Sequence, residues 1–153
     1  MFRASEIIDF AIAIEKNGHS FYQTLAEAVE EPKVKQVFRR LAEEEKQHIA
    51  DFNRLADQVS GYDPPESYPG EYAEYMEALV NNHVFPQSLD PEAVAQFVSS
   101  PAEAIELAIR LEKDSLLFFE GLKNLLSHTE VKPIEELIKQ ERRHLCELYS
   151  LRK

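Results

Sequence analysis

Two short polar runs interrupt otherwise apolar helical patterns in this sequence. They read Glu-Lys-Gln-His at 45–48 and Glu-Arg-Arg-His at 141–144, so each places a carboxylate and an imidazole three residues apart. On a helix, residues with this spacing lie on the same face. Glu15 precedes the first run by thirty residues, and Glu112 precedes the second by twenty-nine. The pattern predicts two similar helical hairpins arranged around a site for two metal ions.

The rest of the sequence predicts an all-α fold in one domain, residues 1–153. Glycine is scarce, at four residues, and no stretch has the alternating β-branched residues of a strand. Apolar residues instead recur at steps of three and four, as on one face of a helix. The predicted long helices cover about 5–29, 33–60, 101–127 and 132–151. A long, partly helical crossover at 61–100, with short helices at 71–82 and 91–98, connects the second helix to the third.

The spacing also predicts that the polar residues meet at one height in the bundle. The midpoint between Glu15 and the run at 45–48 falls beside Pro32, where a turn is expected. The midpoint between Glu112 and the run at 141–144 falls near Ser127, again in a predicted turn. Two antiparallel hairpins would therefore bring four carboxylates and two imidazoles to the middle of the core.

Buried carboxylates need neutralising partners, because burying an unpaired charge costs several kcal/mol at least. The predicted apolar faces carry no lysine or arginine. Two divalent ions would balance four carboxylates if both histidines are neutral. Oxygen and imidazole ligands without thiolate suit iron or manganese, and zinc is a common substitute. The alternative is that these residues form solvated faces or core ion pairs, but it does not explain what offsets the free-energy cost of burying the carboxylates.

One Glu from each of two helices and a Glu-x-x-His from each of two others form the ligand pattern of ferritin-like bundles. In these residues the chain resembles the rubrerythrin-like branch of the ferritin-like superfamily, over essentially its whole length. The similarity includes Glu-Lys-Asn-Gly-His-Ser-Phe-Tyr at 15–22 and Glu-Glu-Lys-Gln-His at 44–48. The resemblance implies a ferritin-like four-helix bundle in which Glu45 and Glu141 bridge or chelate and each histidine caps one iron. The iron ligands that it implies are Glu15, Glu45, His48, Glu112, Glu141 and His144.

The sequence departs from rubrerythrins at two points. Rubrerythrins have an extra glutamate three residues after the ligand of the third helix, which one iron uses as it changes ligand with oxidation state. That position is Ser115 here, so the ligand exchange cannot be carried over. We also expect no rubredoxin domain, because the single Cys146 excludes a four-cysteine iron centre within these residues. We therefore expect an external electron donor, such as a rubredoxin.

Three further side chains have more than one interpretation. Tyr22 could donate a hydrogen bond to a ligand carboxylate or quench an oxidised intermediate, or it could be an ordinary core aromatic. Phe119 occupies the matching position on the third helix. His19 could support a ligand, but a packed or partly exposed histidine is the favoured interpretation. We expect Cys146 to be buried and inert, since it is next to the apolar face.

The resemblance implies an enzyme that reduces hydrogen peroxide to water at a diferrous site. The residues expected to act in this reaction are Glu15, Glu45, Glu112, Glu141 and Tyr22. One alternative is a ferroxidase or iron-handling protein, although the helices are too few for a ferritin cage. Another alternative is an O2-dependent oxygenase that acts on an organic substrate. A further alternative is a metal site that serves stability alone.

Net charge and hydropathy limit the classes of partner and the cellular location that we expect. A net charge of -11 disfavours nucleic acid as a partner. No stretch is long and apolar enough for a membrane span or a secretory signal, so we expect a cytoplasmic protein. Phe10, Phe21 and Val37 lie off the main apolar faces, which favours a second contact surface and a homodimer.

Overall fold

A computed structural model describes residues 4–58, 66–82, 90–96 and 98–152 of the chain. Within these ranges all regular secondary structure is helical, as the sequence predicts. None of the helices described there is long and apolar enough to cross a membrane. The helices are α1 (Ala4–Ala28), α2 (Pro32–Ala56), α3 (Glu71–Asn81), α4 (Pro91–Gln96), α5 (Pro101–Lys123) and α6 (Val131–Leu151).

The starts of α2 and α5 follow from their capping residues. The Glu31 carboxylate accepts a hydrogen bond from the Val34 amide at 2.7 Å. The Ser100 hydroxyl accepts one from the Glu103 amide at 3.1 Å, and Glu103 in turn accepts from Ser99. These bonds satisfy amides that have no partner within the helix. A proline follows each cap. Helix α5 begins at Pro101, which confirms the predicted start of the third long helix at residue 101.

The predicted ends of two long helices were wrong by a few residues. The second long helix, predicted to residue 60, ends at Ala56, because the Gln58 amide bonds to the Leu55 carbonyl in a tighter turn. The third, predicted to residue 127, ends at Lys123. There the amides of 124–126 bond to carbonyls three residues back, which ends the α-helical pattern. Residues 59–65 lie outside the described ranges.

The buried apolar residues form two clusters at the two ends of the bundle. On α1 one cluster takes residues 7–14 and the other takes 21–29, so Glu15 lies between them. The same division recurs on α2, α5 and α6, where the polar residues of the predicted site always lie between the two clusters. The site is therefore a polar layer enclosed by apolar side chains on both sides.

The crossover helices cover the flanks of this bundle. Helix α3 packs against α5 and buries Met76, and α4 packs against α1 and buries Ala95. Each short helix extends a different apolar cluster, Met76 that of Phe118 and Ala95 that of Phe38. The crossover therefore stabilises both ends of the bundle.

Two expectations about individual side chains were wrong. Phe21 is fully buried inside the chain, where the centroid of its ring lies 5.7 Å from that of Tyr22, so it contributes nothing to an outer surface. Phe10 and Val37 are partly buried against the two clusters. Cys146 is exposed, because it lies two residues beyond His144 and therefore on another face of α6.

Candidate metal centre

The structure brings all six predicted ligands together in the polar layer. Glu15 comes from α1 and Glu112 from α5, while α2 and α6 each contribute a Glu-x-x-His pair. All six residues are at most 4 % exposed. No lysine or arginine is among the buried residues of the described ranges, so no protein cation neutralises these carboxylates.

The ligand atoms form two overlapping groups, and within each group they lie within 4.8 Å of one another. Glu45 and Glu141 belong to both groups. Glu15 and Glu112, which we call the terminal glutamates, and the two histidines each belong to only one. Shared carboxylates between two groups are the arrangement expected for two neighbouring cations. The first group is Glu15, Glu45, His48 and Glu141, and the second is Glu45, Glu112, Glu141 and His144.

Both imidazoles direct Nδ1 toward the shared carboxylates. Nδ1 of His48 lies 2.9 Å from Oε1 of Glu141, and Nδ1 of His144 lies 3.2 Å from Oε2 of the same residue. The two rings are stacked, with centroids 5.8 Å apart and planes inclined by 16°. Glu141 therefore lies between the two histidines, one carboxylate oxygen toward each.

The opposite ring nitrogens are bonded to the facing helices. Nε2 of His48 lies 2.7 Å from Oε1 of Gln140, and Nε2 of His144 lies against Oε2 of Glu44. Because both partners are acceptor oxygens, each Nε2 carries the proton and a neutral ring keeps the Nδ1 lone pair for a metal. Neither Glu44 nor Gln140 was among the site residues predicted from sequence. Their signal was position, since each directly precedes the glutamate of a Glu-x-x-His run.

The donor set fits metal ions because it leaves buried polar atoms without hydrogen bonds. Such atoms cost about 1–3 kcal/mol each, and more when charged, unless something else satisfies them. Nδ1 of His48 and Oε1 of Glu141 are both among them, although they lie 2.9 Å apart. The six atoms are Oε1 and Oε2 of Glu15, Oε1 of Glu45, Nδ1 of His48, Oε2 of Glu112 and Oε1 of Glu141.

The protein groups alone bind protons strongly in this layer. Burial, followed by the negative charge of Glu141, raises the pKa values of Glu15, Glu45 and Glu112 well above their ordinary range. Burial also acts to raise the pKa of Glu141, but its interactions with Glu112 and the two histidines outweigh burial and hold this pKa well below its usual value. Glu141 is thus the anion at the centre of the layer.

The histidine pKa values shift in the opposite direction to that favoured by their burial. Burial acts to lower the pKa of His48, but its interaction with Glu141 raises it to about 9. The pKa of His144 is also raised, since interactions with Glu112, Glu141 and Glu45 outweigh its burial. Protons therefore occupy the nitrogens that a metal would take, and metal binding must release them.

Tyr22 connects the two hairpins through the site. Its hydroxyl donates a hydrogen bond to Oε1 of Glu112 at 2.5 Å, so the predicted bond to a ligand carboxylate is present. Burial and the Glu112 charge raise the pKa of Tyr22, which keeps the hydroxyl protonated. The matching Phe119 has no hydroxyl and packs against Phe52. His19 bonds to the Ala42 carbonyl at 2.8 Å, which agrees with the packed interpretation.

A second difference between the hairpins lies one turn beyond the terminal glutamates. Gly18 on α1 faces Glu45, and a Cβ added there would lie 3.1 Å from Oε2 of that carboxylate. Ser115 holds the corresponding position on α5 and is buried. The missing side chain at residue 18 therefore gives the shared carboxylate room that a larger residue would take.

Four long helices around a layer of four glutamates and two histidines define a ferritin-like di-metal carboxylate bundle. Within this class the chain belongs to the rubrerythrin family, whose sequence profile matches residues 6–151. That family is a di-iron family, and the buried clusters of this chain could bind the metal.

The other comparisons extend the fold assignment only. A solved structure of a hypothetical protein from Pyrococcus furiosus superimposes with a TM-score of 0.66 at 21 % identity. The alignment covers 99 % of this chain and 89 % of that one, so the similarity extends over the whole bundle. No curated protein matches the sequence significantly.

Proposed function

We propose that the protein is a di-iron oxidoreductase of the rubrerythrin type that reduces hydrogen peroxide with electrons from an external donor such as a rubredoxin. The observation that carries the proposal is the pair of overlapping ligand groups that share Glu45 and Glu141. Membership of a di-iron family supports iron as the metal. Manganese and zinc would fit the same oxygen and nitrogen donors as substitutes.

The proposed reaction breaks the O–O bond of one peroxide molecule, consumes two protons and two electrons, and forms two water molecules. When bound, two ferrous ions would supply one electron each and become ferric. The external donor would then return both electrons. A two-metal site therefore matches the two-electron requirement of the substrate without a second cofactor in this chain.

The residues of the chain provide the setting for this reaction. Four carboxylates would balance two divalent ions, and Gln140 and Glu44 would hold both histidines in the tautomer that binds metal. The apolar clusters above and below the layer exclude bulk water from it. Tyr22 holds Glu112 by its hydroxyl, which orients one terminal ligand and places a protonated oxygen beside the site. We propose a catalytic role for Tyr22 on this basis.

The test is to load the protein anaerobically with two ferrous ions per chain and to follow the ferric absorbance after mixing. One sample receives stoichiometric peroxide and the other receives dioxygen. Oxidation that is much faster with peroxide would support the proposal. Faster oxidation by dioxygen would favour a ferroxidase or an oxygenase, and failure to retain iron would leave a structural site.

Site variants should abolish the reaction if the assignment is correct. We expect Glu112→Ala and His144→Ala to lose peroxide-dependent turnover, because each removes the only terminal ligand of its type in one group. Glu43→Ala is the matched control, since Glu43 is exposed on α2 and belongs to neither group. Retained turnover in either ligand variant would refute the assignment.

Ser115 is the observation that favours a second candidate, a ferroxidase or iron-handling protein. A buried serine cannot replace the extra glutamate that rubrerythrins use as iron changes its ligands. The comparison of peroxide with dioxygen distinguishes the two candidates. The cytoplasmic location and the homodimer stay predictions, and light scattering of the purified protein tests the dimer.

A further inference from the structure

The two ligand groups are alike in their inner atoms. Each combines the two shared glutamates with one terminal glutamate and one histidine Nδ1. We name them the His48 subsite, which includes Glu15, and the His144 subsite, which includes Glu112. On inner ligand types alone, both subsites would hold a divalent cation similarly.

The side chains that bond to Nε2 of the two histidines are different. His144 is held by the carboxylate of Glu44 on α2, whereas His48 is held by the amide of Gln140 on α6. The two holding residues occupy matching positions, one residue before the shared glutamate of their own helix. The difference is therefore a single chemical exchange, carboxylate for amide, at equivalent points.

We propose that Glu44 is a positioning residue that selectively strengthens the His144 subsite, so that the two cations of the proposed di-metal site bind with unequal affinity. A carboxylate accepts the Nε2 proton more strongly than an amide does and makes Nδ1 a better donor to a metal. It also adds one negative charge close to only one of the two cations. Gln140 orients its ring equally well but adds neither effect.

Neighbouring residues keep Glu44 in this orientation. Its second oxygen, Oε1, lies 3.4 Å from Nη1 of Arg40, while Oε2 faces His144. Arg40 also pairs with Glu147 on α6, so it connects the two helices beside the His144 subsite. Because Glu147 offsets the Arg40 charge, the negative charge of Glu44 is not cancelled locally.

The test is a titration of the purified metal-free protein with Co(II), followed by calorimetry and by visible absorption. Glu44→Gln keeps the length and an acceptor oxygen, so His144 remains held while the charge is lost. We expect one of two binding steps to weaken by about 10- to 100-fold, as for other outer partners of ligand histidines, and the other step to stay unchanged. The reciprocal Gln140→Glu should strengthen the other step.

Ligand-deletion backgrounds assign the affected step. The effect of Glu44→Gln should persist in His48→Ala, which retains the His144 subsite, and should vanish in His144→Ala. Glu43→Gln makes the same change of charge at an adjacent exposed position and should leave both steps unchanged. Far-ultraviolet circular dichroism should show native helix content in every variant.

Three results would overturn the inference. They are an unchanged titration in Glu44→Gln, an equal weakening of both steps, and an equal effect from Glu43→Gln. If the wild type binds no Co(II), the proposed metal site fails as well. If Co(II) binds in two unequal steps but the iron-loaded protein does not reduce peroxide, only the proposed function fails, because this test does not depend on turnover.

Discussion

The two halves of the polar layer agree in their ligands and differ in the residues around them. Helices α1 and α2 provide Glu15, Glu45 and His48, and α5 and α6 provide the same types at matching positions. Around them, Tyr22 on α1 corresponds in position to Phe119 on α5, Gly18 to Ser115, and Glu44 on α2 to Gln140 on α6. The three differences all concern side chains that touch or adjoin a ligand.

This comparison separates two kinds of constraint. The candidate ligands are alike in type because two divalent cations would require similar donors on each side, and the described ranges bury no lysine or arginine that could replace a cation. The surrounding residues have no such requirement, because they can change the affinity or reactivity of one metal without exposing a charge. Differences between two bound metals should therefore arise from Tyr22 and Glu44, which contact Glu112 and His144 in only one of the two groups.

The largest predicted effect distinguishes shared from terminal ligands. We expect Glu141→Gln to reduce bound metal from two ions per chain to none, because Glu141 belongs to both groups and lies between both histidines. Glu15→Gln should lose only one ion, since Glu15 belongs to one group. Elemental analysis after gel filtration measures the stoichiometry. One ion retained by Glu141→Gln would show that the carboxylate is not shared.

The next prediction concerns how the stability of the metal-free and of the metal-loaded protein depends on pH. The folded pKa of His48 is about 9 against an ordinary 6.5, so its stabilising contribution is complete below pH 6.5 and is lost as pH rises through 9. The raised pKa values of Glu15, Glu45 and Glu112 act in the same direction, because the folded state binds more protons. The low pKa of Glu141 has the opposite sign and matters only as pH falls below 4.5.

We expect metal to reverse this dependence, because it would replace the protons. The melting temperature of the metal-free protein should therefore fall between pH 6.5 and 9, while the stabilisation by added Co(II) or Zn(II) grows. Thermal melts with chelator and with metal, in parallel over this range, measure the difference. A constant difference across the range would mean that the histidines and glutamates of the layer do not bind the metal.

The sequence predicted the fold and the grouping of the six candidate ligands because both depend on periodic spacing. Glu15 and the run at 45–48 fall at equal distances from one turn, which fixes their height in the hairpin. Helix ends depend on local bonds such as that from Gln58 to Leu55, so the predicted end at residue 60 was wrong. The prediction that Cys146 is buried was wrong because a residue next to a buried face of a helix can itself lie on an exposed face.

Contacts between distant helices could not be predicted from spacing. Tyr22 bonds to Glu112, which lies ninety residues away on α5, and not to the nearby Glu15. The bonds of Glu44 and Gln140 likewise cross between α2 and α6. Which side chains meet across a bundle depends on how far the helices are rotated about their axes, and an apolar stripe about 100° wide leaves that rotation open by about one residue.

A smaller effect should follow when one half is made like the other at residue 22. Tyr22→Phe removes the hydroxyl that satisfies Glu112, and Phe119 shows that the core accepts this ring. We expect the free energy of unfolding of the metal-free protein to fall by about 1–3 kcal/mol, the cost of leaving a buried oxygen of Glu112 without its hydrogen-bond partner. Urea unfolding measures it, and Tyr75→Phe, at an exposed tyrosine, is the control.

The same variant tests the proposed catalytic role of Tyr22. If the hydroxyl acts in the reaction, peroxide-dependent oxidation of the ferrous protein should slow even where both irons are retained. An unchanged rate together with lower stability would leave Tyr22 as a structural partner of Glu112 only.

The smallest predicted effect concerns the space beside Glu45. Gly18→Ala should gain about 0.8–1.0 kcal/mol from helix propensity, but the new Cβ would lie 3.1 Å from Oε2 of Glu45 and press on the shared carboxylate. We therefore expect a net stability change below about 1 kcal/mol in the metal-free protein and a several-fold loss of Co(II) affinity. Because Glu45 is shared, both binding steps should weaken, unlike the single step affected by Glu44→Gln. Increased stability with unchanged affinity would show that Glu45 moves aside freely and that the space at Gly18 has no part in metal binding.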